Sequence, residues 1–190
     1  THSLKKTAYG IQRFCIGIGK KVLFANAFGE LCSIFRASDE KTVLFYWMYA
    51  AAFMLQIYFD FSGYSDMAIG LGRIFGFHFD ENFNYPFISR NITEFWQRWH
   101  ISLGSFFRDY LLYVPIFGKM RPYGGLFLVW LSTGFWHGAS WNYIIWGLYY
   151  GLFILFERLI GNKRLKKVPS VIMHIYNKTV IIIGFGIFYF

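Results

Sequence analysis

Apolar residues form long runs in this chain, and the charged residues collect between those runs. From Thr42 to Phe59, eighteen successive residues carry no charge. That length is close to the ~20 residues that cross the ~30 Å hydrocarbon core of a bilayer as a helix. This segment is therefore the first clear predicted span. The stretch before it, from Thr1 to Phe35, mixes apolar residues with basic residues and Glu30, a pattern that favours an interfacial or tilted helix.

The first predicted span runs directly into a segment, Asp60 to Gly72, that contains two carboxylates and three glycines. This composition predicts an interruption of the apolar helix. Within a membrane, such an interruption is tolerated only where protein or a water-filled cavity supplies hydrogen-bond partners for the freed backbone groups and for the acids. A polar turn is then predicted from Asp80 to Pro86, since a proline disfavours helical geometry at the residue before it, here Tyr85.

A helix start is predicted at Asn91, because Glu94 follows three residues later in the arrangement of a capping box. Projected at 100° per residue, the apolar residues from Ile92 to Tyr110 fall within one arc. We therefore expect one amphipathic helix that lies in the membrane surface or against a helix bundle. His100 projects at the edge of its apolar arc.

The segment from Pro122 to Phe156 contains thirty-five residues without Asp, Glu, Lys or Arg. As one helix it would extend roughly 52 Å, which exceeds the hydrocarbon core, so a break is required. The glycines and hydrogen-bonding side chains between Gly134 and Asn142 predict its place. This position puts His137 at a helix junction in apolar surroundings.

The charged residues near the C-terminal end predict orientation. Five basic residues occur between Arg158 and Lys167, which is typical of the cytoplasmic side of a membrane. Another apolar segment begins at Val168. Because the chain opens on Thr1 and closes within this apolar segment, we expect residues 1–190 to be a fragment of a single integral-membrane domain, truncated at both ends.

Composition supports a membrane protein and argues against other classes. Hydrophobic residues make up 56% of the chain and charged residues 15%, compared with ~25% in soluble domains. The basic residues border apolar runs, where lipid head groups explain them, so no nucleic-acid partner is expected. Cys15 and Cys32 lack any metal-binding or redox spacing and are predicted to be buried free thiols.

Two histidines are the candidates for chemistry. The near-neutral pKa of an imidazole allows it to take a proton from an acceptor hydroxyl and return it to a leaving group. The alternatives stay open at this point: His137 as a core histidine bonded to a neighbouring helix, and His100 as a polar side chain at the edge of an interfacial helix. No metal is expected, since the two histidines are thirty-seven residues apart and no HExxH motif occurs.

Four ordered blocks carry a family resemblance. They are Tyr58–Gly72, Glu81–Pro86, Glu94–Leu103 and Trp136–Ala139. Together they resemble the membrane-bound O-acyltransferase (MBOAT) superfamily, specifically its alginate O-acetyltransferase-like branch. The resemblance implies an all-α, multi-pass transmembrane bundle with interfacial and re-entrant helices around a central tunnel. It also implies that His137 is catalytic and that His100 is a second functional histidine.

The resemblance further implies transfer of an acyl group, preferentially acetyl, to hydroxyls of a cell-envelope or extracellular polysaccharide. The donor would be acetyl-CoA or another acyl thioester used as a co-substrate, with no bound cofactor. The expected partners are the lipid bilayer, the polysaccharide acceptor, and an extracytoplasmic acyltransferase or an acyl-carrier protein. The expected location is the bacterial cell membrane, with multiple spans. Trp99, Trp136 and Asn142 are predicted to line the substrate tunnel.

Three alternatives stay open: D-alanyl transfer to teichoic acid, a transporter that uses Asp60, Asp66 and His137, and a structural subunit that recruits a periplasmic partner. Asp109 is expected either to orient a histidine or to pair with Arg108. The loop after Pro115 is several residues shorter than in the family that the chain resembles.

Overall fold

The computed structural model describes residues 3–39, 42–113, 115 and 122–190. Most of the loop that follows Pro115, including the shortening noted above, lies outside these residues. The described chain divides into two compact units, Thr1–Phe83 and Asn84–Phe190, and each is presented by itself. Its secondary-structure elements are helical. The α-helices are α1 (Leu4–Gly19), α2 (Asn26–Ala37), α3 (Val43–Phe75), α4 (Ile92–Arg98), α5 (Ile101–Phe107), α6 (Pro122–His137), α7 (Trp141–Ile160), α8 (Asn162–Leu165) and α9 (Ser170–Tyr189).

Three of these helices, α3, α7 and α9, are long and apolar enough to cross a membrane. They correspond to the apolar runs that begin near Thr42, Ser140 and Val168. Many large apolar side chains on these helices remain exposed in the protein, among them Leu44, Leu152 and Ile172. Such a surface is expected where lipid rather than water surrounds the protein. The prediction of an all-helical membrane protein is confirmed.

The first unit is built on close contact between α1 and α3. A side chain on Gly10 would meet the carbonyl oxygen of Gly70 at 2.6 Å, and one on Gly17 would meet that of Gly63 at 2.5 Å. The two contacts are seven residues apart on each helix, so both pairs lie on one seam. Small residues of this kind allow helix backbones to approach closely in a membrane protein.

The predicted interruption of the first span is wrong. Helix α3 continues without a break through Asp60 and Asp66, and ends at Gly76, whose φ of +87° closes the helix in the left-handed conformation. The acids do not break the helix because basic side chains of α1 and of the turn that follows it form ion pairs with them. A π-helical turn, Lys20–Ala25, joins α1 to α2 and supplies one partner for each acid.

Asp66 is the buried centre of this ionic cluster. It pairs with the Arg13 guanidinium at 2.7 Å and with the Lys20 ammonium at 2.7 Å, while Asp60 pairs with Lys21 nearer the surface. The predicted requirement that protein satisfy these acids is therefore met within the first unit. Cys32 is a buried free thiol as predicted, but Cys15 is exposed, because it lies on the side of α1 opposite the glycine seam.

The second unit opens with Tyr85 in the left-handed conformation, φ 44°, directly before Pro86. The prediction that Pro86 removes Tyr85 from right-handed helical geometry is confirmed, and the segment from 77 to 85 is non-helical. A short 3-10 turn, Pro86–Ile88, then leads to α4.

The prediction of one continuous helix after Asn91 is wrong. The N-cap is confirmed, since the Asn91 side chain accepts a hydrogen bond from the Glu94 backbone at 2.7 Å. The reciprocal bond of the capping box is shifted, because Glu94 accepts from the backbone N–H of Arg90 instead. The helix then ends at Arg98, and His100 adopts φ 47° before α5 begins. The apolar residues from Ile92 to Tyr110 therefore do not lie on one continuous helix, because α4 and α5 are separate.

The predicted break inside the long uncharged segment is confirmed. Helix α6 ends at His137, Gly138 takes φ +149°, and α7 starts at Trp141. The α6–α7 pair packs closely because Gly134 lies against the backbone of Tyr143. His137 is thus the last residue of a helix, at the junction where the sequence placed it.

Helix α9 packs on α7, and tyrosine side chains of α7 donate hydrogen bonds to backbone carbonyls of α9. The hydroxyl of Tyr149 donates to the carbonyl of Val180 at 3.0 Å, and that of Tyr150 donates to Ile181 at 3.1 Å. Gly184 of α9 lies directly against the Tyr150 ring, where any side chain would overlap it. These contacts fix the axial position of α9 along α7.

Candidate functional site

The tertiary structure brings His100 and His137 against the same indole ring. The Trp136 ring centroid lies 5.9 Å from the imidazole of His100 and 4.9 Å from that of His137. The two histidines are thirty-seven positions apart in the sequence, and they come together because the end of α6 lies close to the start of α5. This pair of imidazoles, with the aromatic residues around it, is the candidate functional site.

His100 is held in an uncommon backbone conformation. Its φ of 47° and ψ of 55° lie in the left-handed region, which costs a residue with a side chain about 1–2 kcal/mol. Backbone strain of this kind persists where surrounding structure enforces it, and it is concentrated at functional sites. The hydroxyl of Ser102 lies 3.4 Å from the His100 Nδ1.

The surrounding structure that enforces this position includes a buried carboxylate. Glu157, on α7, is only 3% exposed, and its two oxygens accept hydrogen bonds from the backbone N–H groups of Ile92 and Thr93 at 2.7 and 2.8 Å. It also accepts from the Thr93 hydroxyl and from the Tyr176 hydroxyl of α9. Because one side chain joins the start of α4 to α7 and α9, it fixes α4, the helix that ends two residues before His100.

Aromatic packing fixes α4 at a second point. The Trp96 ring contacts Trp130 of α6 and both Trp146 and Tyr150 of α7, with centroid distances of 5.1, 5.5 and 4.8 Å. Edge-to-face geometry of this kind is the favourable arrangement for aromatic pairs. Trp96 precedes His100 by four residues, so this contact lies about one helical turn from the strained residue.

His137 is surrounded by aromatic rings rather than by hydrogen-bonding groups. Its imidazole lies 4.9 Å from Trp146, 5.1 Å from Phe188 and 6.3 Å from Tyr143, besides Trp136. Within the described ranges, no residue forms a hydrogen bond or an ion pair with this imidazole. The side chain is half-buried. Its ring nitrogens are therefore available to a ligand, which the alternative of a hydrogen-bonded core histidine does not provide.

Both imidazoles lie outside the three candidate membrane spans, and both are neutral near pH 7. Burial lowers the pKa of His137 from 6.5 to about 4. Burial also lowers the pKa of His100 to about 4, and the proximity of His137 contributes in the same direction. A neutral imidazole can accept a proton, which is the state required of a general base.

The three predicted substrate-binding residues occupy different environments. Trp136 is 57% exposed beside both histidines. Trp99 is 6% exposed and packs between Phe95 and Phe185 in the core of the second unit. The Asn142 amide donates to the Phe188 carbonyl at 2.8 Å. Substrate binding by Trp136, Trp99 and Asn142 remains a prediction.

Asp109 pairs with its neighbour Arg108 at 2.8 Å, and both side chains are more than half exposed. This is the solvated pair that was one of its two expected roles. Among the residues that the structure describes, no three His, Cys, Asp or Glu side chains are grouped so that they could hold a metal ion.

Sequence reasoning missed the structural role of Glu157 and the contribution of Trp146 and Phe188 to the surroundings of His137. Glu157 follows directly after the uncharged segment that ends at Phe156. Its signal was present, since a carboxylate adjacent to a membrane-length apolar helix requires partners. Its backbone partners, the N–H groups of Ile92 and Thr93, are sixty-five and sixty-four positions away, which no sequence spacing indicates.

Known proteins match almost the whole of this chain. Residues 1–186 match the model of MBOAT, the membrane-bound O-acyltransferase family. A probable alginate O-acetylase, AlgI, of Pseudomonas aeruginosa is 44% identical over an alignment 192 positions long, which covers 99% of this chain and 37% of that protein. A peptidoglycan O-acetyltransferase of Helicobacter pylori is 42% identical over 81% of this chain and 30% of its own length.

A teichoic acid D-alanyltransferase of Bacillus subtilis is also similar, with 34% identity over 85% of this chain and 44% of that protein. The chain thus spans less than half the length of each of these relatives.

Proposed function

This chain belongs to the membrane-bound O-acyltransferase family, and we propose that the full-length protein transfers an acyl group, preferentially acetyl, to a hydroxyl of a cell-envelope or extracellular polysaccharide. The observation that carries the proposal is the half-buried, neutral imidazole of His137 with no hydrogen-bond partner among the described residues. Relatives named as an alginate O-acetylase and a peptidoglycan O-acetyltransferase support the acceptor class.

In the proposed reaction, His137 takes the proton of the acceptor hydroxyl while the hydroxyl oxygen attacks the carbonyl carbon of an acyl thioester. A carbon–oxygen bond forms, and the carbon–sulfur bond breaks when the intermediate collapses. The imidazolium then returns the proton to the departing thiolate. A histidine that starts neutral supports both proton transfers, because it acts as a base toward the hydroxyl and, once protonated, as an acid toward the thiolate. His100, which contacts the same Trp136 ring, is proposed to orient the acceptor or to assist the same proton transfers.

The donor in this proposal is acetyl-CoA or another acyl thioester, which acts as a co-substrate. We further propose a multi-pass location in a bacterial cell membrane, with an extracytoplasmic acyltransferase or an acyl-carrier protein as partner. The three membrane-length helices support the membrane location.

D-alanyl transfer to teichoic acid is the second candidate, and the Bacillus subtilis relative favours it, although its identity is lower than that of the acetylase relatives. The transporter alternative has less support. Its two carboxylates, Asp60 and Asp66, both pair with cations inside the first unit and are therefore explained by structure.

The test is acyl incorporation into envelope polysaccharide by cells that express full-length protein, with membrane levels matched by immunoblot. The His137→Ala variant is expected to reduce incorporation about 100-fold or more, the range for loss of a general acid–base group. His78→Ala is the matched control, because His78 is a mostly exposed histidine of the first unit. Equal incorporation by the two variants would remove His137 from the chemistry.

A further inference from the structure

A small cavity lies in the second unit, apart from the two histidines. Its volume is about 130 Å³. Cavities that hold a whole drug-sized ligand measure ~300–1,000 Å³, so this one fits a single polar group of a larger molecule. It is lined by Arg90, Asn91, Glu94, Asn162, Leu165, Lys166 and Met173.

The lining carries net positive charge. Arg90 and Lys166 form no ion pair with any carboxylate that the structure describes. The one acid in the lining, Glu94, is already neutralised, because its carboxylate pairs with Arg98 at 2.9 Å. Two cations therefore face the cavity without a local counter-charge.

Arg90 also has an unmet hydrogen-bonding requirement. One of its terminal nitrogens approaches the Val168 carbonyl at 3.5 Å, and its Nε is buried without a hydrogen-bond partner. A buried donor of a charged group costs free energy unless it is paired. An anion in the cavity would compensate the charge and add acceptors beside the guanidinium.

We propose that this cavity binds a phosphate group. Phosphate offers several strong acceptor oxygens, which suits an arginine and a lysine that approach from different elements. Lys166 lies in the connection between α7 and α9, whose basic residues are typical of the cytoplasmic membrane surface. Two phosphate sources are found there: the head group of an anionic lipid, and a phosphate of the acyl donor. The second of these, a phosphate of the acyl donor, rests on the proposed function.

The experiment measures binding to full-length protein in phosphatidylcholine nanodiscs by titration calorimetry. The two probes are coenzyme A and a short-chain phosphatidylglycerol. The test variants are Lys166→Gln and Arg90→Gln. Because Lys166 is exposed, the Lys166→Gln variant should fold. The control is Lys163→Gln, which removes an exposed cation of α8 that does not line the cavity.

Lys166→Gln is expected to weaken one of the two probes about fivefold, equivalent to about 1 kcal/mol, while Lys163→Gln changes neither by more than about twofold. Weakening confined to coenzyme A identifies a donor phosphate, and weakening confined to phosphatidylglycerol identifies a lipid head group. No change for either probe, or an equal change in the control, overturns the proposal. His137→Ala should retain binding, so a failure here is distinguishable from a failure of the proposed acyl transfer.

Discussion

The two units differ in how their polar groups are satisfied. In the first unit, the acids of α3 pair with cations of the preceding helices, and Asp66 alone has two such partners. In the second unit, backbone groups satisfy Glu157, whereas His137 has no hydrogen-bond partner within the described ranges. Polar groups that the protein itself satisfies hold helices together, and a polar group left unsatisfied beside a cluster of rings is available for a substrate.

This contrast separates candidates that look equal in sequence. Asp60, Asp66, His100 and His137 are all polar residues within or beside apolar segments, and such residues are functional candidates by default. Only the contacts show that the two acids stabilise a helix pair.

Loss of the Glu157 carboxylate should have the largest effect on stability. Glu157→Ala leaves the N–H groups of Ile92 and Thr93 and the hydroxyl of Tyr176 without their acceptor, which should cost about 3 kcal/mol. Chemical denaturation of the full-length protein in mixed micelles measures the loss. The exposed Glu30→Ala should change the free energy of unfolding by less than about 0.5 kcal/mol. Equal stability of both variants would remove Glu157 from its bracing role.

Loss of charge at Asp66 should destabilise the first unit by about 2 kcal/mol, because Asp66→Asn leaves the partly buried Lys20 without a carboxylate and leaves Arg13 paired with Glu81 alone. Asp60→Asn removes a half-exposed pair and should cost about 0–1 kcal/mol. The same denaturation experiment compares them. If Asp66→Asn left stability unchanged but abolished activity, the structural assignment of this acid would be wrong and the transporter alternative would regain support.

The backbone at His100 should distinguish glycine from alanine. His100→Gly relieves the left-handed strain, so it should be more stable than His100→Ala by roughly 1 kcal/mol. Both variants lack the imidazole and should lose acyl transfer to the same extent, measured as incorporation into polysaccharide. Activity retained by the glycine variant would mean that His100 contributes only conformation.

The pH profile should show the smallest change. Since the pKa of His137 is lowered to about 4, its imidazole stays neutral as the pH falls from 7 to 5, and acyl transfer should remain nearly constant. A histidine with an ordinary pKa of 6.5 would be only about 3% neutral at pH 5. Purified full-length protein assayed across this range provides the measurement. A fall in rate with a midpoint near pH 6.5 would contradict the lowered pKa.

Local patterns predicted several elements correctly for reasons that lie in short segments of chain. Asn91 caps its helix because the capping bond is made three residues away, and Pro86 acts on Tyr85 through a direct steric clash. The long uncharged run had to break, and glycine at 138 supplied the conformation for it. The same local logic failed for α3 and for the segment that carries His100, where distant contacts prevail.

The sequence by itself determined the membrane class, the membrane-length helices, the position of His137 at a helix end and, through its ordered blocks, the family. These depend on composition, periodicity and local geometry, which act over a few residues. Only the tertiary structure decided that Asp66 is an ion-paired buried acid, that Glu157 braces α4, and that His100 and His137 share the Trp136 ring. The physical reason is that hydrogen bonds, ion pairs and ring contacts depend on distance in space, and residues as far apart in the sequence as Trp99 and Phe185 meet only after the helices have packed.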